Sequence, residues 1–127
     1  MHQTQFFNTV KDLDLHEAVF LNSSMTVKEA ISEIQKHNFD QFPVKNDNGD
    51  VIGAVTSTHL TTRLIKNKTK LTESIEKNVI KEYRNVSSSI PLNELGRIFT
   101  RHNFAFVDNK YIVSSFDLLR FLNEKHE

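Results

Sequence analysis

Ser23-Ser24-Met25-Thr26-Val27-Lys28-Glu29 and Ser88-Ser89-Ile90-Pro91-Leu92-Asn93-Glu94 open two segments, residues 23–39 and 88–104, that align without a gap. Both close on the same tripeptide, His37-Asn38-Phe39 and His102-Asn103-Phe104. Six of the 17 aligned positions are identical, where average residue frequencies give roughly one. A second register, shifted by a shorter loop, places Val55-Thr56-Ser57-Thr58-His59-Leu60 over Val113-Ser114-Ser115-Phe116-Asp117-Leu118. Two copies are too few for a solenoid, which needs at least about three. Two half-domains closing on each other around a cleft are the simpler expectation.

Each copy carries its own structural signals. Thr26 and Glu29 have capping-box spacing, and Val27, Ala30, Ile31 and Ile34 then recur on one helical face that ends near His37-Asn38. Gln41 to Val44 and Val51 to Val55 form a hairpin around Asn46-Asp47-Asn48-Gly49, and Ser57 to Lys66 is a second helix with Leu60 and Leu64 inward. In the second copy Pro91 stands at the helix start, where a missing N–H costs nothing. Leu92, Leu95 and Phe99 follow on one face, then strands at Phe104 to Val107 and Tyr111 to Val113 around Asp108-Asn109-Lys110, then a helix from Ser115 to Asn123. The polar, Lys-rich stretch from Asn67 to Ser88 reads as a connector leading into the entering strand of copy two. Its one apolar patch is Val79-Ile80 and Tyr83. Residues 1–9 read as a loose tail. The fold class is α+β, with boundaries at 10–66 for the first motif, 67–82 for the connector and 83–124 for the second motif.

Charge and composition exclude several functions. Lys plus Arg equals Asp plus Glu at 16 each, so no bulk field favours nucleic acid or an anionic membrane. No apolar run approaches about 18 residues and no signal-peptide pattern opens the chain, so a soluble, cytoplasmic protein is expected. With no cysteine, disulfides, thiolate nucleophiles and Cys-type zinc sites are excluded. His37 and His102 sit at matching helix ends, where a cation suits the dipole, and no spacing of histidines and carboxylates suggests a metal. No nucleophile elbow, Walker loop or dinucleotide fingerprint occurs, so the chain is not expected to be an enzyme.

Asp117 is the residue with functional promise. It follows the strand Ile112-Val113 and the hydroxyl residues Ser114 and Ser115 at the opening of a helix. An acid there can accept hydrogen bonds from a ribose diol, with Ser114 and the free helical N–H groups at the same point. It can equally well stabilise the helix start, by about 0.3–1 kcal/mol.

The tandem helix-strand-strand-helix plan, with Gly53-Ala54-Val55-Thr56 closing the first hairpin, resembles a CBS-domain pair, or Bateman module. The family's usual close is Gly, two apolar residues, Thr or Ser, two variable residues, then Asp. Copy one has Gly53 and Thr56 but His59 at the Asp position; copy two has Ser114 and Asp117 but Tyr111 for the Gly. The resemblance covers residues 15–124 and implies two β-α-β-β-α units packed with pseudo-two-fold symmetry. Phe39-Asp40-Gln41-x-Pro43-Val44, Val79-Ile80-Lys81-x-Tyr83, Leu95-Gly96-Arg97 and Asp117-Leu118-Leu119-x-Phe121 further resemble the C-terminal regulatory region of the cystathionine β-synthases.

The resemblance implies a sensor for S-adenosylmethionine that acts on a pyridoxal-phosphate-dependent catalytic domain lying outside this segment. It also implies that one site takes Glu17, Ala18, Val19, Phe39, Asp40, Gln41 and Phe42 with Val113, Ser114, Phe116 and Asp117, ribose meeting Asp117. A weaker mirror site would use Asn103, Phe104, Ala105 and Phe106 with Thr56 and His59, where the acid is missing. The position of Phe42 is small in ligand-binding relatives, so its ring either stacks on adenine or fills the cavity. Two other functions stay open. One is a pair that senses AMP, ADP or ATP, disfavoured by the absence of Lys and Arg from the named residues. The other is a ligand-free module that homodimerises through helix faces rich in Leu60, Leu64, Leu118, Leu119, Phe121 and Leu122.

Overall fold

The computed structural model describes residues 8–125. The elements run β1 (His16–Glu17), β2 (Leu21–Asn22), α1 (Val27–Ile34), β3 (Gln41–Lys45), β4 (Val51–Thr56), α2 (Ser57–Ile65), β5 (Asn85–Val86), α3 (Leu92–Ile98), β6 (Phe104–Val107), β7 (Tyr111–Ser114) and α4 (Ser115–Lys125). Short 3-10 turns stand at Val10–Asp12 and Ile75–Asn78. Helix-strand-strand-helix therefore occurs twice, each time led by a short strand, as the repeat requires.

Local chemistry explains the element ends. Thr26 Oγ1 accepts from the Glu29 N–H at 3.1 Å while the Glu29 carboxylate accepts from the Thr26 N–H at 2.9 Å, which closes the capping box of α1. In the first hairpin Asn46 Oδ1 accepts from the N–H groups of Asn48 and Asp50, both at 3.0 Å, and Gly49 takes φ +84°. The second hairpin turns through Asp108 and Asn109, at φ +53° and +52°. Two consecutive left-handed residues match the twist of the flanking strands, and Asn and Asp tolerate them best after glycine.

The chain divides into two compact units. Residues 19–83 hold a three-stranded sheet, order β2-β3-β4, with β2 parallel and β4 antiparallel to β3. Its core is Leu21, Val27, Ala30, Phe42, Val44, Val55, Leu60 and Ile75. The other unit takes the chain up to Ala18 and again from Arg84, and holds a four-stranded sheet, order β1-β7-β6-β5. Its core includes Val10, Leu92, Leu95, Ile98, Ala105, Val107, Val113, Leu118 and Phe121.

These cuts differ from the motif boundaries in the sequence, and hydrogen bonds give the reason. Ile75 N–H donates to Met25 O and Val27 N–H to Glu73 O, both at 2.8 Å, so the segment after α2 is laced to the start of α1. Asn78, buried, accepts from Arg63 Nε at 2.6 Å and donates to Thr69 Oγ1 at 3.0 Å. The stretch read as a connector is thus structural, and Val79 packs on the core of its unit. A Cβ on Gly53 would lie 2.8 Å from Val79 Cβ and 2.9 Å from Ile80 O, so only glycine fits beneath this strap. The same lacing recurs in the other unit, where Val10 N–H donates to Ile90 O at 3.0 Å and Leu92 N–H to Asn8 O at 3.2 Å. Asn8 and Thr9 are therefore not part of a loose tail; residues 1–7 of that expectation lie outside the described residues.

Strand pairing also corrects the register of the repeat. Gln41 pairs with Thr56 and Phe104 with Ser114, and Thr56 and Ser114 each lead into a helix. Gln41, not Phe39, is therefore the structural counterpart of Phe104, and Phe39-Asp40 is an insertion particular to copy one. Of the helix-face residues noted in the sequence, Leu60, Leu118 and Phe121 are buried and Leu64 and Leu122 pack partly. Only Leu119 is exposed, joined on α4 by Phe116.

The Thr26 N–H, then the Thr26 hydroxyl, holds the Glu29 carboxyl below its ordinary value. Lys77 does the same for Glu73 across 3.2 Å. A depressed carboxylate pKa contributes stability above the ordinary value of 4.5 that is lost as pH falls through the lower folded value. Thr26→Ala is expected to lower stability at neutral pH by about 0.5–2 kcal/mol. Alanine keeps the Thr26 N–H that holds the carboxylate, so the pH test falls to Glu29→Gln, whose deficit should shrink as melts are run from pH 6 to below 4. A Glu29→Gln deficit that does not change with pH would mean the Glu29 carboxylate is not held by the cap.

Candidate functional site

The helix entry at Ser114 in the four-stranded unit gathers the strongest polar cluster among the sequence candidates. Asp117 Oδ2 accepts from the Ser114 N–H at 2.8 Å and from Ser114 Oγ at 3.0 Å. The other oxygen, Oδ1, lies 3.6 Å from an Arg120 guanidinium nitrogen, and the side chain is 16% exposed. The helix-start role is therefore filled by one oxygen, and the second faces the half-exposed Arg120. A hydroxyl pair can displace an exposed arginine from Oδ1 without breaking the cap. Phe116 stands 69% exposed beside the turn, with Arg120 lying 5.7 Å from its ring centroid.

The matching turn in the three-stranded unit lacks the acid. Thr56 Oγ1 accepts from the His59 N–H at 3.1 Å, which caps α2 from one side only. Asp40 reaches this turn from the insertion, its Oδ1 accepting from Ser57 Oγ at 3.0 Å and its carbonyl from the Ser57 N–H at 3.2 Å. Phe39 and Phe42 stand next to each other with ring centroids 5.1 Å apart, and His37 stacks on Phe39 at 5.3 Å. Phe42 is wholly buried in the core of its unit. Its counterpart Ala105 and the candidate Val113 are core residues of the other unit, so these three offer a ligand main-chain groups only. Phe104 meets Phe106 edge-on at 5.3 Å.

The remaining candidates sit at the margins. Glu17 is exposed on β1 opposite Tyr111, and the Ala18 N–H donates to Lys110 O at 2.9 Å. Val19 packs partly against the core of the three-stranded unit, Gln41 heads β3 half-buried, and Asn103 is exposed. Arg120 escaped the sequence reading. Its signal was its spacing, three residues beyond Asp117 on one helix face. Among the described residues no group of three or more His, Asp or Glu side chains could hold a metal ion, and no helix is long and apolar enough to cross a membrane.

With two α/β units of one plan and two helix-entry turns of Thr/Ser type, the chain has the fold of a CBS-domain pair. Residues 10–66 match the family model described as "CBS domain". Cystathionine β-synthase of Mus musculus is 26% identical over 105 residues, 83% of this chain. The chain spans only 19% of the length of that relative. A crystal structure of a CBS-domain pair in complex with 5′-methylthioadenosine and S-adenosyl-L-methionine superposes with a TM-score of 0.79 at 22% identity, covering 94% of this chain and 98% of that one. CBSX2 in complex with AMP gives 0.73 at 20% identity, covering 94% and 99%.

Proposed function

We propose that the chain is a regulatory module that senses an adenosyl ligand, with S-adenosylmethionine as effector, and controls a cystathionine β-synthase activity carried outside this segment. The observation that carries the reading is Asp117, whose Oδ2 is held by Ser114 while Oδ1 faces a half-exposed Arg120 at 3.6 Å that a diol can displace. The exposed acid Glu17, in the same unit as Asp117, suits a sulfonium or amine and disfavours phosphate, and the solved neighbour with S-adenosyl-L-methionine supports the ligand class. A ligand shifts such a module only by its differential affinity for the two states.

Asp117→Asn keeps the shape of the turn and removes the charge. Loss of a hydrogen bond to a charged acceptor, about 1.5–3 kcal/mol, should weaken S-adenosylmethionine about ten- to a hundredfold by calorimetry. His59→Ala should leave affinity unchanged. If the unaltered chain gives no heat with millimolar S-adenosylmethionine, the reading fails. The second reading, an AMP, ADP or ATP sensor, is favoured by Arg120 beside Asp117 and by the AMP-bound neighbour. ATP competing more tightly than S-adenosylmethionine would select it.

A further inference from the structure

The chain has five arginines, and two of them are engaged. Arg63 donates to Asn78 Oδ1 at 2.6 Å and to Lys68 O at 3.4 Å, and Arg120 lies beside Asp117. The side chains of the other three, Arg84, Arg97 and Arg101, make no ion pair, hydrogen bond or ring contact among the described residues. All three line one open groove of ≈ 700 Å³ in the four-stranded unit.

The groove follows the outer edge of that unit. Arg84 leads into β5, which is the end strand of its sheet, and Arg97 lies in the last turn of α3. Arg101 comes four residues after Arg97, where the chain leaves the helix. Val86, Ile90 and Ile98 add apolar lining, and Glu94 is the one carboxylate, itself without an ion pair among the described residues. Three exposed guanidinium groups without an ion pair among the described residues, against one carboxylate, give this concavity a net positive lining. Their planar forks match phosphate oxygens two at a time. The volume falls within the range of small-molecule sites, about 300–1,000 Å³. Three forks that each take two oxygens want more acceptors than one phosphate carries, whereas a chain of phosphates supplies them.

We propose that this groove binds a small molecule carrying two or more linked phosphates. The site is distinct from the Ser114–Asp117 turn, which contributes no residue to its lining, and it does not depend on the adenosyl reading.

Sodium tripolyphosphate is the probe, titrated calorimetrically into the full chain at low salt, with sulfate at matched ionic strength as the control. Binding of tripolyphosphate and not of sulfate is expected. The double variant Arg97→Ala/Arg101→Ala should bind at least about tenfold more weakly, since each charge-assisted bond lost exceeds the 1.4 kcal/mol that corresponds to a decade. Both residues are exposed, so its melting temperature should match that of the unaltered chain. Asp117→Asn should bind tripolyphosphate as the unaltered chain does, which separates this site from the adenosyl one. ATP binding equal to tripolyphosphate assigns recognition to the phosphates alone, and tighter ATP binding adds a nucleoside contact; both support the proposal. No heat with tripolyphosphate, equal binding of sulfate, undiminished binding by the double variant, or binding only of an acidic peptide laid along β5 would each overturn it.

Discussion

Phe42→Ala is expected to destabilise the protein by about 3–5 kcal/mol, the range for emptying a buried aromatic site. For a domain of this size that lowers the melting temperature by roughly 10–20 °C. Phe42 is 0% exposed and shares the core of the three-stranded unit with Leu21, Val27, Val44 and Val55. Its ring also supports Phe39 at 5.1 Å and His37 at 5.9 Å, so truncation removes the backing of the Phe39-Asp40 insertion together with core volume. Phe42→Leu keeps most of that volume and should cost less than about 1.5 kcal/mol. The pair of variants settles the role left open by the sequence. A ring that stacks only on a ligand would cost nothing in the ligand-free protein, and a shift below about 3 °C for Phe42→Ala would return it to that role.

Where a segment carries its own periodicity, it was legible without the structure. Helix α1 followed from Val27, Ala30, Ile31 and Ile34 behind a capping box, and both hairpins followed from their Asn, Asp and Gly turns. The register of the repeat was misleading for a physical reason. His-Asn-Phe recurs as letters, but ladder pairing to Thr56 and Ser114 sets structural equivalence, and the Phe39-Asp40 insertion displaces one copy against the other. The Ser114–Asp117 turn was legible because both its partners lie within four residues. The arginine groove was not, since Arg84 is distant in sequence from Arg97 and Arg101, and only folding brings them to one surface. The exchange of leading segments was equally hidden. Of the exchanged segments, β1 is two residues long and Ile75–Asn78 makes a single 3-10 turn, too short for any periodicity to show.

That hidden exchange has a direct consequence at Ile75. In a polar run between Lys70 and Lys81 it looks like part of a linker, and a linker residue tolerates alanine. The structure makes it core: Ile75 is 0% exposed within the cluster of Leu21, Phe42, Val55 and Leu60, and its N–H donates to Met25 O at 2.8 Å. Ile75→Ala should therefore cost about 2–5 kcal/mol, whereas Lys70→Ala, exposed in the same stretch, should stay within about 0.5 kcal/mol. Val10 holds the matching place before α3, 0% exposed with its N–H on Ile90 O at 3.0 Å. Val10→Ala removes fewer methyl groups and should fall at the lower end of the same scale. Denaturant melts of the three variants decide the matter, because a change in midpoint at constant slope reads as lost packing. Equal midpoints for Ile75→Ala and Lys70→Ala would mean that residues 67–83 are a tether. Deficits at Ile75 and Val10 but not at Lys70 would mean that each unit is completed by the segment that leads into the other.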